Sequence, residues 1–363
     1  MFGLLGSTGF IGKRALKIAK KFDIQVELLS CNKNISLLNE QIDEFSPAFV
    51  VIGKEADLSA LQPKNSKVFI GQDGLKEALN LCKSKLILNA IVGLHGLLPS
   101  LWCKEFNKTL ALANKESLVM AGWLFKDQDI IPIDSEHFSL SYLLKDGDFE
   151  KLIITSSGGA LRDMSLNELK NASKKQVLAH PNWQMGEKIT LDSATMVNKL
   201  FEILECWHLF GTKNIGILIE RSSKVHAMIQ HKDGSINAHI STPDMSLPIS
   251  YALDPINSAN AQVLKPLSLE ELCDINFCQI DLKRYPLFEL KDDLLSEPKL
   301  GVILNVANDF LNARFLDQSI CFGDITEGIF AAFDKFSSLP KLDTLDEIMS
   351  FRIDIENFLK ERF

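Results

Sequence analysis

The fold of this chain is constrained most by the rhythm of its first third, in which short apolar runs alternate with helix-like segments. Residues 13–22 and 37–45 have helical periodicity, and apolar runs of strand length flank them. These runs lie at residues 2–5, 25–30, 49–52, 67–70, 86–91 and 109–113. Short strands separated by helices are typical of βαβ units, and such units build parallel sheets. The rhythm therefore predicts an α/β domain at the N-terminus.

A glycine-rich segment follows the first predicted strand and leads into the first helix. In such a loop, closely spaced glycines allow backbone amides and a helix N-terminus to approach a pyrophosphate. We expect the loop to bind a dinucleotide, although a glycine-rich structural turn is the alternative. The residues assigned to this cofactor are Gly6, Ser7, Thr8, Gly9, Phe10, Ile11 and Gly12.

The segment after the second predicted strand indicates which dinucleotide is bound. NAD-specific folds place an acidic residue about 20 positions beyond the glycine motif, where it binds the ribose 2′-hydroxyl. This chain has Asn32, Lys33 and Asn34 in that region. Without a carboxylate to repel a 2′-phosphate, and with Lys33 to pair with it, NADPH is favoured over NADH. The alternative is that Lys33 is an ordinary solvated loop residue.

Carboxylates suited to a divalent cation occur in two later segments. Asp134 and Glu136 follow the apolar run 130–133, so at the end of a strand they would share one face. Glu202 lies four residues after Asn198 and would share a helix face with it, in a helix expected to begin near Ser193. Hard cations such as Mg²⁺ or Mn²⁺ bind carboxylate oxygens. Each acid taken alone is more simply a surface or capping carboxylate.

The length of 363 residues exceeds what one hydrophobic core usually serves, so two or three domains are expected. Strand-like runs return at 151–156, 215–219, 225–230 and 235–240, and the segment after residue 298 has mostly helical patterning. The predicted division is a Rossmann-like NADPH-binding domain at 1–133, an α+β catalytic domain at 134–254, a connecting arm at 255–286 and a small C-terminal helical bundle at 287–363.

Composition and charge exclude several classes of partner. The net charge of −8 and the pI near 5.5 argue against broad attraction to nucleic acid or to an anionic bilayer. The seven cysteines are scattered without a CxxC pair, which argues against a disulfide framework. The chain enters a strand-like run at once, which leaves no room for a basic signal segment. We therefore expect a cytoplasmic protein with a small polar partner.

Several longer motifs resemble one known family, 1-deoxy-D-xylulose 5-phosphate reductoisomerase. They occur in the order found in that family and span about two thirds of the chain. The matching segments are Gly6-Ser-Thr-Gly9-Phe-Ile-Gly12, Ala90-Ile-Val-Gly93, Leu112-Ala-Asn114-Lys115-Glu116-Ser117, Asp134-Ser-Glu136-His137, Ser157-Gly-Gly159, His180-Pro-Asn-Trp183-Gln-Met185-Gly186 and Asp192-Ser193-Ala-Thr-Met-Val-Asn198-Lys199.

The resemblance implies a role for each motif. It implies a Mg²⁺ or Mn²⁺ site at Asp134, Glu136 and Glu202, and proton transfer by Lys115 and Glu136. The loop that carries Trp183 is implied to close over the substrate. The implied substrate-binding residues are Lys115, Ser135, Glu136, Ser157, His180, Trp183, Ser193, Asn198, Lys199 and Glu202. Further NADPH contacts are implied at Asn114, Glu116, Gly186 and Met245.

The implied reaction has two stages and belongs to non-mevalonate isoprenoid precursor biosynthesis. Metal-chelated 1-deoxy-D-xylulose 5-phosphate rearranges to an aldehyde, and NADPH then reduces this aldehyde to 2-C-methyl-D-erythritol 4-phosphate. The resemblance also implies a homodimer. A rival interpretation is an NADPH-dependent dehydrogenase of another phosphorylated or acidic substrate, which would not need three metal carboxylates. A second rival is a nucleotide-sensing protein that kept the fold.

Simpler structural roles compete with several of these assignments. Lys115 could pair with Glu116, His180 could be an ordinary turn histidine, Trp183 could anchor its loop, and Met245 could fill space at a strand end.

The chain also departs from the family pattern. Asn32 replaces a customary glycine, Leu94-His95 stands where small residues are usual, Glu220-Arg-Ser-Ser223 replaces a His-Pro-Gln-Ser type segment, and Ser246 stands where arginine is common. None of these changes removes a proposed metal ligand.

Overall fold

The computed structural model describes residues 1–144, 148–183 and 185–363 and divides the chain into two compact units. Unit 1 comprises Met1–Ser117, Phe125–Phe138 and Asp244–Lys265. Unit 2 comprises Leu118–Leu124, Ser139–Pro243 and Pro266–Phe363. Both units are therefore discontinuous along the chain. The four-part domain division expected from the sequence stays a prediction.

Unit 1 is built on a parallel sheet with the strand order β4-β3-β2-β1-β5-β6-β7. Every neighbouring pair in this sheet is parallel, as the alternating sequence predicted. The strand order reverses between β1 and β5, and the crevice at such a reversal is where α/β sheets bind ligands. The strands are β1 (Phe2–Leu5), β2 (Val26–Cys31), β3 (Phe49–Ile52), β4 (Lys67–Ile70), β5 (Leu86–Asn89), β6 (Thr109–Leu112) and β7 (Ile130–Pro132).

Helices of unit 1 bury one apolar stripe against this sheet. The core joins α1 side chains such as Ala15 and Ile18 to Leu4 and Leu29 of the sheet, and Ile249 from the segment 244–265 packs into the same core. The helices are α1 (Phe10–Lys21), α2 (Ile35–Phe45), α3 (Gly71–Leu81), α4 (Leu97–Glu105), α11 (Ser246–Leu253) and α12 (Pro255–Asn260). Two more helices, α5 (Glu116–Ala121) and α6 (Ser135–Leu143), run across positions at which the units are divided.

Unit 2 contains a mixed sheet with the strand order β11-β10-β8-β9-β12. β8 pairs with β9 in parallel, and the other pairs are antiparallel, including the predicted hairpin of β10 and β11. A small core of Ile153, Val225 and Met228 lies on this sheet. The strands are β8 (Lys151–Ser156), β9 (Ile215–Glu220), β10 (Val225–Gln230), β11 (Ile236–Ile240) and β12 (Phe277–Cys278).

The rest of unit 2 is helical, in agreement with the helical pattern of the C-terminal sequence. Gly301–Leu316 forms a long helix whose residues 301–308 are all buried. The helices are α7 (Leu166–Leu169), α8 (Lys174–Val177), α9 (Glu187–Thr195), α10 (Val197–Phe210), α13 (Leu269–Cys273), α14 (Lys291–Ser296), α15 (Gly301–Leu316), α16 (Phe322–Lys335) and α17 (Leu345–Arg362). The predicted α/β class with an N-terminal parallel sheet is confirmed.

Two local expectations differ from the structure. β7 ends at Pro132, and Glu136 lies in α6 rather than on a strand face shared with Asp134. The helix expected to begin near Ser193 is two helices, because Met196 between α9 and α10 has a φ of 66° and breaks the run. Asn198 and Glu202 nevertheless lie in the same helix, α10.

Candidate functional site

The glycine loop lies at the carboxyl end of β1, where the strand order of the unit 1 sheet reverses. Gly6 has a φ of 79°, and a Cβ there would lie 2.8 Å from the carbonyl oxygen of Ala90, which follows β5. A Cβ at Gly12 would lie 2.3 Å from the Gly6 carbonyl oxygen. Glycine is thus required at both positions. The turn places the N-terminus of α1 at the crevice, as a pyrophosphate site needs.

Hydrogen bonds fix the loop from beneath. The Gly6 N–H donates to the Ser30 hydroxyl at 3.0 Å. The Ser7 hydroxyl, which is fully buried, donates to Oε1 of Gln41 at 2.7 Å, and Gln41 Nε2 donates back to the Ser7 carbonyl at 3.0 Å. Thr8 contacts the Cys31 sulfur at 3.3 Å. The side chain of Ser7 therefore holds the loop in shape, which leaves backbone groups to face a ligand.

The segment between β2 and α2 presents the residues expected at the 2′-phosphate. Asn32, Lys33 and Asn34 are all exposed. The Asn34 side chain caps α2 by accepting a hydrogen bond from the Leu37 N–H at 3.2 Å. Within the described part of the chain, Lys33 has no ion-pair partner, so its ammonium group is available to an anionic ligand.

Asn114 and Glu116 follow β6 and are both buried. The Asn114 amide donates to the carbonyls of Ile91 and Gly93 at 2.7 and 2.8 Å, and to Glu116 Oε2 at 3.1 Å. These contacts tie the loop after β5 to the loop after β6, at the same edge of the sheet as the glycine loop. Met245, from the segment 244–265, packs against the core of this unit together with Ile11.

A charged cluster lies at the carboxyl ends of β6 and β7. Lys115 Nζ contacts Asp134 Oδ2 at 2.7 Å, and each side chain is 13% exposed. His137 Nδ1 lies 3.1 Å from Asp134 Oδ1. The Glu136 N–H donates to Asp134 Oδ1 at 3.1 Å, while Ser135 donates its hydroxyl to Glu136. Asp134 thus begins α6 as a capping residue, and Lys115 pairs with Asp134.

The Asp134 and Glu136 carboxylates approach closely enough to share one ion. A carboxylate oxygen of each residue lies within 4.8 Å of the other. Two hard oxygen donors at this spacing match the requirements of Mg²⁺ or Mn²⁺ better than those of a soft metal. The pair lies in the same unit as the glycine loop, and both follow the carboxyl ends of strands of the same parallel sheet.

The loop after β8 forms a second cluster, in unit 2. Gly158 and Gly159 have φ values of 82° and 71°, and a Cβ at Gly159 would lie 2.5 Å from the Ser193 carbonyl oxygen. Glycine therefore lets this loop lie against the end of α9, which brings Ser157 and Ser193 into one region. The Ser157 hydroxyl also accepts a hydrogen bond from the Gly159 N–H at 3.0 Å.

His180 is held in one tautomer. Its Nδ1 accepts the backbone N–H groups of Asn182 and Trp183 at 3.2 and 2.9 Å, so the ring proton is on Nε2. Nε2 lies 2.9 Å from the Ser157 hydroxyl oxygen and donates to it. Burial, with a further contribution from the positive charge of Arg162, lowers the pKa of His180 to about 4. With two hydrogen bonds accepted, the Ser157 hydroxyl keeps its own proton to donate to a substrate.

The first turns of α10 hold further residues for which the resemblance implies substrate binding. Lys199 and Glu202 are 3% and 1% exposed and form an ion pair. The Asn198 amide also donates to Glu202. The cation and the amide thus lie beside one buried carboxylate, as their i, i+3 and i, i+4 spacing on a helix predicts. Lys199 is therefore a buried, paired lysine and not a solvated one.

The loop at 180–186 carries the remaining expected residues. The Trp183 ring lies edge-on to the His226 ring, with centroids 6.2 Å apart. Gly186 precedes α9 as its N-cap residue. Gln184, which belongs to the quoted motif, lies outside the described residues.

Sequence reasoning missed some residues around this loop. Arg162 donates to the carbonyls of Ser157 and Arg221 at 2.9 and 2.7 Å. The Asn182 amide donates to the same Arg221 carbonyl at 2.7 Å and to the Ser223 hydroxyl at 2.8 Å. The sequence signal for these residues was their closeness along the chain to the predicted ones. Arg162 follows Ser157 by five positions, and Asn182 lies inside the His180–Gly186 motif.

Comparison with known proteins decides the family. Models described as 1-deoxy-D-xylulose 5-phosphate reductoisomerase and as its C-terminal domain match residues 2–122 and 130–210, and a DXP reductoisomerase C-terminal domain matches 240–356. The chain belongs to this reductoisomerase family. The resemblance of its motifs is confirmed, and the chain is a reductoisomerase-family enzyme.

Curated relatives match almost the whole chain. A 1-deoxy-D-xylulose 5-phosphate reductoisomerase of Helicobacter pylori strain P12 is 50% identical over 99% of this chain and 98% of its own. The enzyme of the same name from Wolinella succinogenes is 47% identical, with 98% of both chains covered.

Solved reductoisomerase structures share the fold. One, in complex with NADPH, fosmidomycin and magnesium, has a TM-score of 0.91 and 30% identity over 99% of this chain and 97% of its own. A Zymomonas mobilis enzyme in complex with NADPH has a TM-score of 0.90 and 29% identity over 99% of this chain and 98% of its own. Among the described residues, no helix is both long and apolar enough to cross a membrane.

Proposed function

We propose that this enzyme converts 1-deoxy-D-xylulose 5-phosphate to 2-C-methyl-D-erythritol 4-phosphate, with NADPH as reductant and a divalent cation. The observation that carries the proposal is a carboxylate pair, Asp134 and Glu136, at the sheet edge that also bears the glycine loop. A plain dehydrogenase needs a hydride donor beside its substrate, but it does not need a cation site there. The family relation and the solved complex with NADPH, fosmidomycin and magnesium support the same conclusion.

The cation would be Mg²⁺ or Mn²⁺, held by Asp134, Glu136 and Glu202. Such an ion, when bound, supplies Lewis-acid polarisation of the substrate carbonyl and a template for its oxygens. In unit 1, carboxylate oxygens of Asp134 and Glu136 already lie within 4.8 Å of each other, as binding of one ion requires. Lys115 balances the Asp134 charge and, with Glu136, would transfer protons during the rearrangement.

The substrate phosphate would bind to Ser157, Ser193, Asn198 and Lys199. Hydroxyl, amide and ammonium donors suit a phosphate dianion, and charge-assisted hydrogen bonds are the strongest of these contacts. His180 supports the Ser157 donor through its Nε2 proton. Ser135 would complete the contacts to the sugar, and Trp183 would cover it and exclude water.

NADPH would lie across the carboxyl edge of the unit 1 sheet. Gly6–Gly12 would bind the pyrophosphate through backbone amides, and residues 32–34 would bind the 2′-phosphate. The nicotinamide would lie near Asn114, Glu116, Gly186 and Met245. We also propose that the enzyme is cytoplasmic and forms a homodimer. Light scattering during size-exclusion chromatography tests the dimer, and a monomer at all working concentrations would count against it.

The decisive experiment follows NADPH absorbance with purified enzyme and 1-deoxy-D-xylulose 5-phosphate, with and without Mg²⁺. We expect oxidation only with the metal, and its loss in Glu202→Gln. Glu187→Gln is the matched control, because Glu187 is exposed and lies in the neighbouring helix. Circular dichroism and NADPH binding check that Glu202→Gln is folded, and Asp134→Asn repeats the test in unit 1.

Other outcomes separate the rival functions. Oxidation of a different phosphorylated or acidic substrate without metal would favour the dehydrogenase. A folded wild type that binds NADPH but does not oxidise it in the presence of any substrate would favour the nucleotide sensor.

A further inference from the structure

Arg14 lies one turn after Phe10, the first residue of α1, and contacts a segment that is distant along the chain. Its guanidinium carbon lies 4.7 Å from the centroid of the Phe10 ring, and its side chain is 29% exposed. A guanidinium over an aromatic face is attracted by the ring quadrupole. Phe10 therefore orients Arg14.

The target of Arg14 is the segment that precedes α11. Arg14 Nη1 forms an ion pair with Asp244 Oδ1, and the same nitrogen lies 3.4 Å from the Ser246 hydroxyl. Asp244 Oδ1 also accepts the Ser246 N–H at 2.7 Å, so the carboxylate caps the start of the helix. Burial alone would raise the pKa of Asp244, but hydrogen bonds from Ser246 and Arg14 lower it below its usual value. The carboxylate thus stays charged when it pairs with Arg14.

Met245 lies between these two anchoring residues. Its side chain packs against the unit 1 core, as does Ile11 from the first turn of α1. The polar contacts of Asp244 and Ser246 with Arg14, and the apolar packing of Met245, therefore hold the start of α11 against α1, the helix that follows the glycine loop. All of these residues belong to unit 1.

We propose that Arg14 is a positioning residue for the nicotinamide. Through Asp244 it fixes Met245 in place, and Met245 sets the surface on which the nicotinamide ring lies. The inference rests on the proposed NADPH site. Hydride transfer depends steeply on the distance and angle of approach, so a small displacement of this surface costs rate even when the cofactor still binds.

The test compares Arg14→Ala with Lys20→Ala. Lys20 lies in the same helix as Arg14, and its substitution removes an exposed ion pair with Glu44 of α2. We expect Arg14→Ala to raise the KM for NADPH several-fold and to lower kcat/KM about tenfold. The deuterium isotope effect with 4-deuterated NADPH should rise, because hydride transfer becomes more rate-limiting. Lys20→Ala should change none of these quantities. A purely structural role would lower only the melting temperature.

A charge-reversed pair keeps the test independent of folding. Arg14→Asp alone should behave like Arg14→Ala or worse, and adding Asp244→Arg should restore part of the NADPH KM and return the isotope effect toward the wild-type value. Unchanged KM and isotope effect in a folded Arg14→Ala would overturn the inference and leave the cofactor assignment intact. A wild type that binds no NADPH would overturn the cofactor assignment, and the inference with it.

Discussion

The hydrogen bonds of His180 predict how graded substitutions at this residue will act. Its ring accepts two backbone N–H groups on Nδ1 and donates from Nε2 to Ser157. A neutral hydrogen bond contributes about 1 kcal/mol net, so His180→Ala should remove ~2–3 kcal/mol of the free energy that holds the loop after β8 and the loop at 180–186 in place. If all of it appears in substrate binding, the KM for the sugar phosphate rises roughly 30- to 150-fold.

Two amide substitutions divide these contacts. The Asn Oδ1 atom lies near the position of histidine Nδ1, so His180→Asn should keep the two backbone contacts and lose the one to Ser157. The Gln Nε2 atom lies near histidine Nε2, so His180→Gln should keep the Ser157 contact and lose the other two. The expected order of KM is therefore Ala above Gln, Gln above Asn, and Asn above wild type. Steady-state kinetics at saturating NADPH measures the order.

Low pH should weaken the same hydrogen bonds through protonation of His180 Nδ1. Burial first, and the Arg162 charge second, lower the pKa of His180 to about 4, against 6.5 for the free side chain. As the pH falls, the unfolded chain therefore binds this proton before the folded chain does. The contribution of His180 to the free energy of unfolding is fully present above pH 6.5 and is lost as the pH falls toward 4. Protonation of Nδ1 would also remove the acceptor for the N–H groups of Asn182 and Trp183.

The titration is best followed by NMR of the imidazole nitrogens without substrate. The phosphate monoester of the substrate has a second pKa of about 6, and its titration would overlap with that of the histidine. The matched control is His231→Ala, since His231 is partly exposed and its ring nitrogen Nδ1 lies 3.3 Å from the Asp148 carbonyl oxygen, away from the two loops. A His180 midpoint near 6.5, or a His180→Gln enzyme with wild-type KM, would refute the reasoning.

Three further predictions follow from single contacts. Lys33→Glu should lower kcat/KM for NADPH by about tenfold or more and leave NADH nearly unaffected, because it puts a carboxylate beside the 2′-phosphate; kinetics with both cofactors measure this. Gly122→Ala should lower the free energy of unfolding in urea by ~1–3 kcal/mol, because its Cβ would lie 2.3 Å from the His208 ring, and an unchanged midpoint would contradict that packing. Burial lowers the pKa of His208 to about 4, and burial together with the nearby His226 lowers the pKa of His239 to about 4. The free energy of unfolding measured with urea should therefore fall between pH 6.5 and 4, and it should fall less steeply in His208→Gln.

Local patterns predicted the fold where local physics determines it. The apolar runs at Phe2–Leu5 and Phe49–Ile52 match their strands residue for residue, because short buried runs between helices have few other conformations available. Gly6 and Gly12 were identifiable because backbone sterics exclude other residues there. The motif residues of the candidate site were found mainly through resemblance, which supplies what spacing alone does not.

Long-range contacts were beyond the reach of sequence patterns. Arg14 and Asp244 are 230 positions apart, and no periodicity connects them. The break at Met196 was missed because a left-handed residue other than glycine has no reliable signature. Likewise, Asp134 was placed on a strand face although its side chain caps α6, since an acid after an apolar run is compatible with either structure.

The departure at residues 220–223 illustrates how a changed sequence can keep a working turn. Glu220 is 1% exposed, and a buried carboxylate is costly unless it is hydrogen-bonded. Here it accepts the N–H groups of Ser222, Lys224 and Val225 at 2.8, 2.7 and 3.2 Å, together with the Ser222 hydroxyl at 2.6 Å.

These four donors fix the turn between β9 and β10 around one side chain. The fixed turn presents the Arg221 carbonyl, which accepts hydrogen bonds from Arg162 of the loop after β8 and from Asn182 of the loop that carries Trp183. The requirement at this place is thus a rigid carbonyl acceptor rather than a particular tetrapeptide. Glu220 meets that requirement by satisfying the turn from within, so the loss of the family's His-Pro-Gln-Ser type segment need not disturb the two loops that the turn supports.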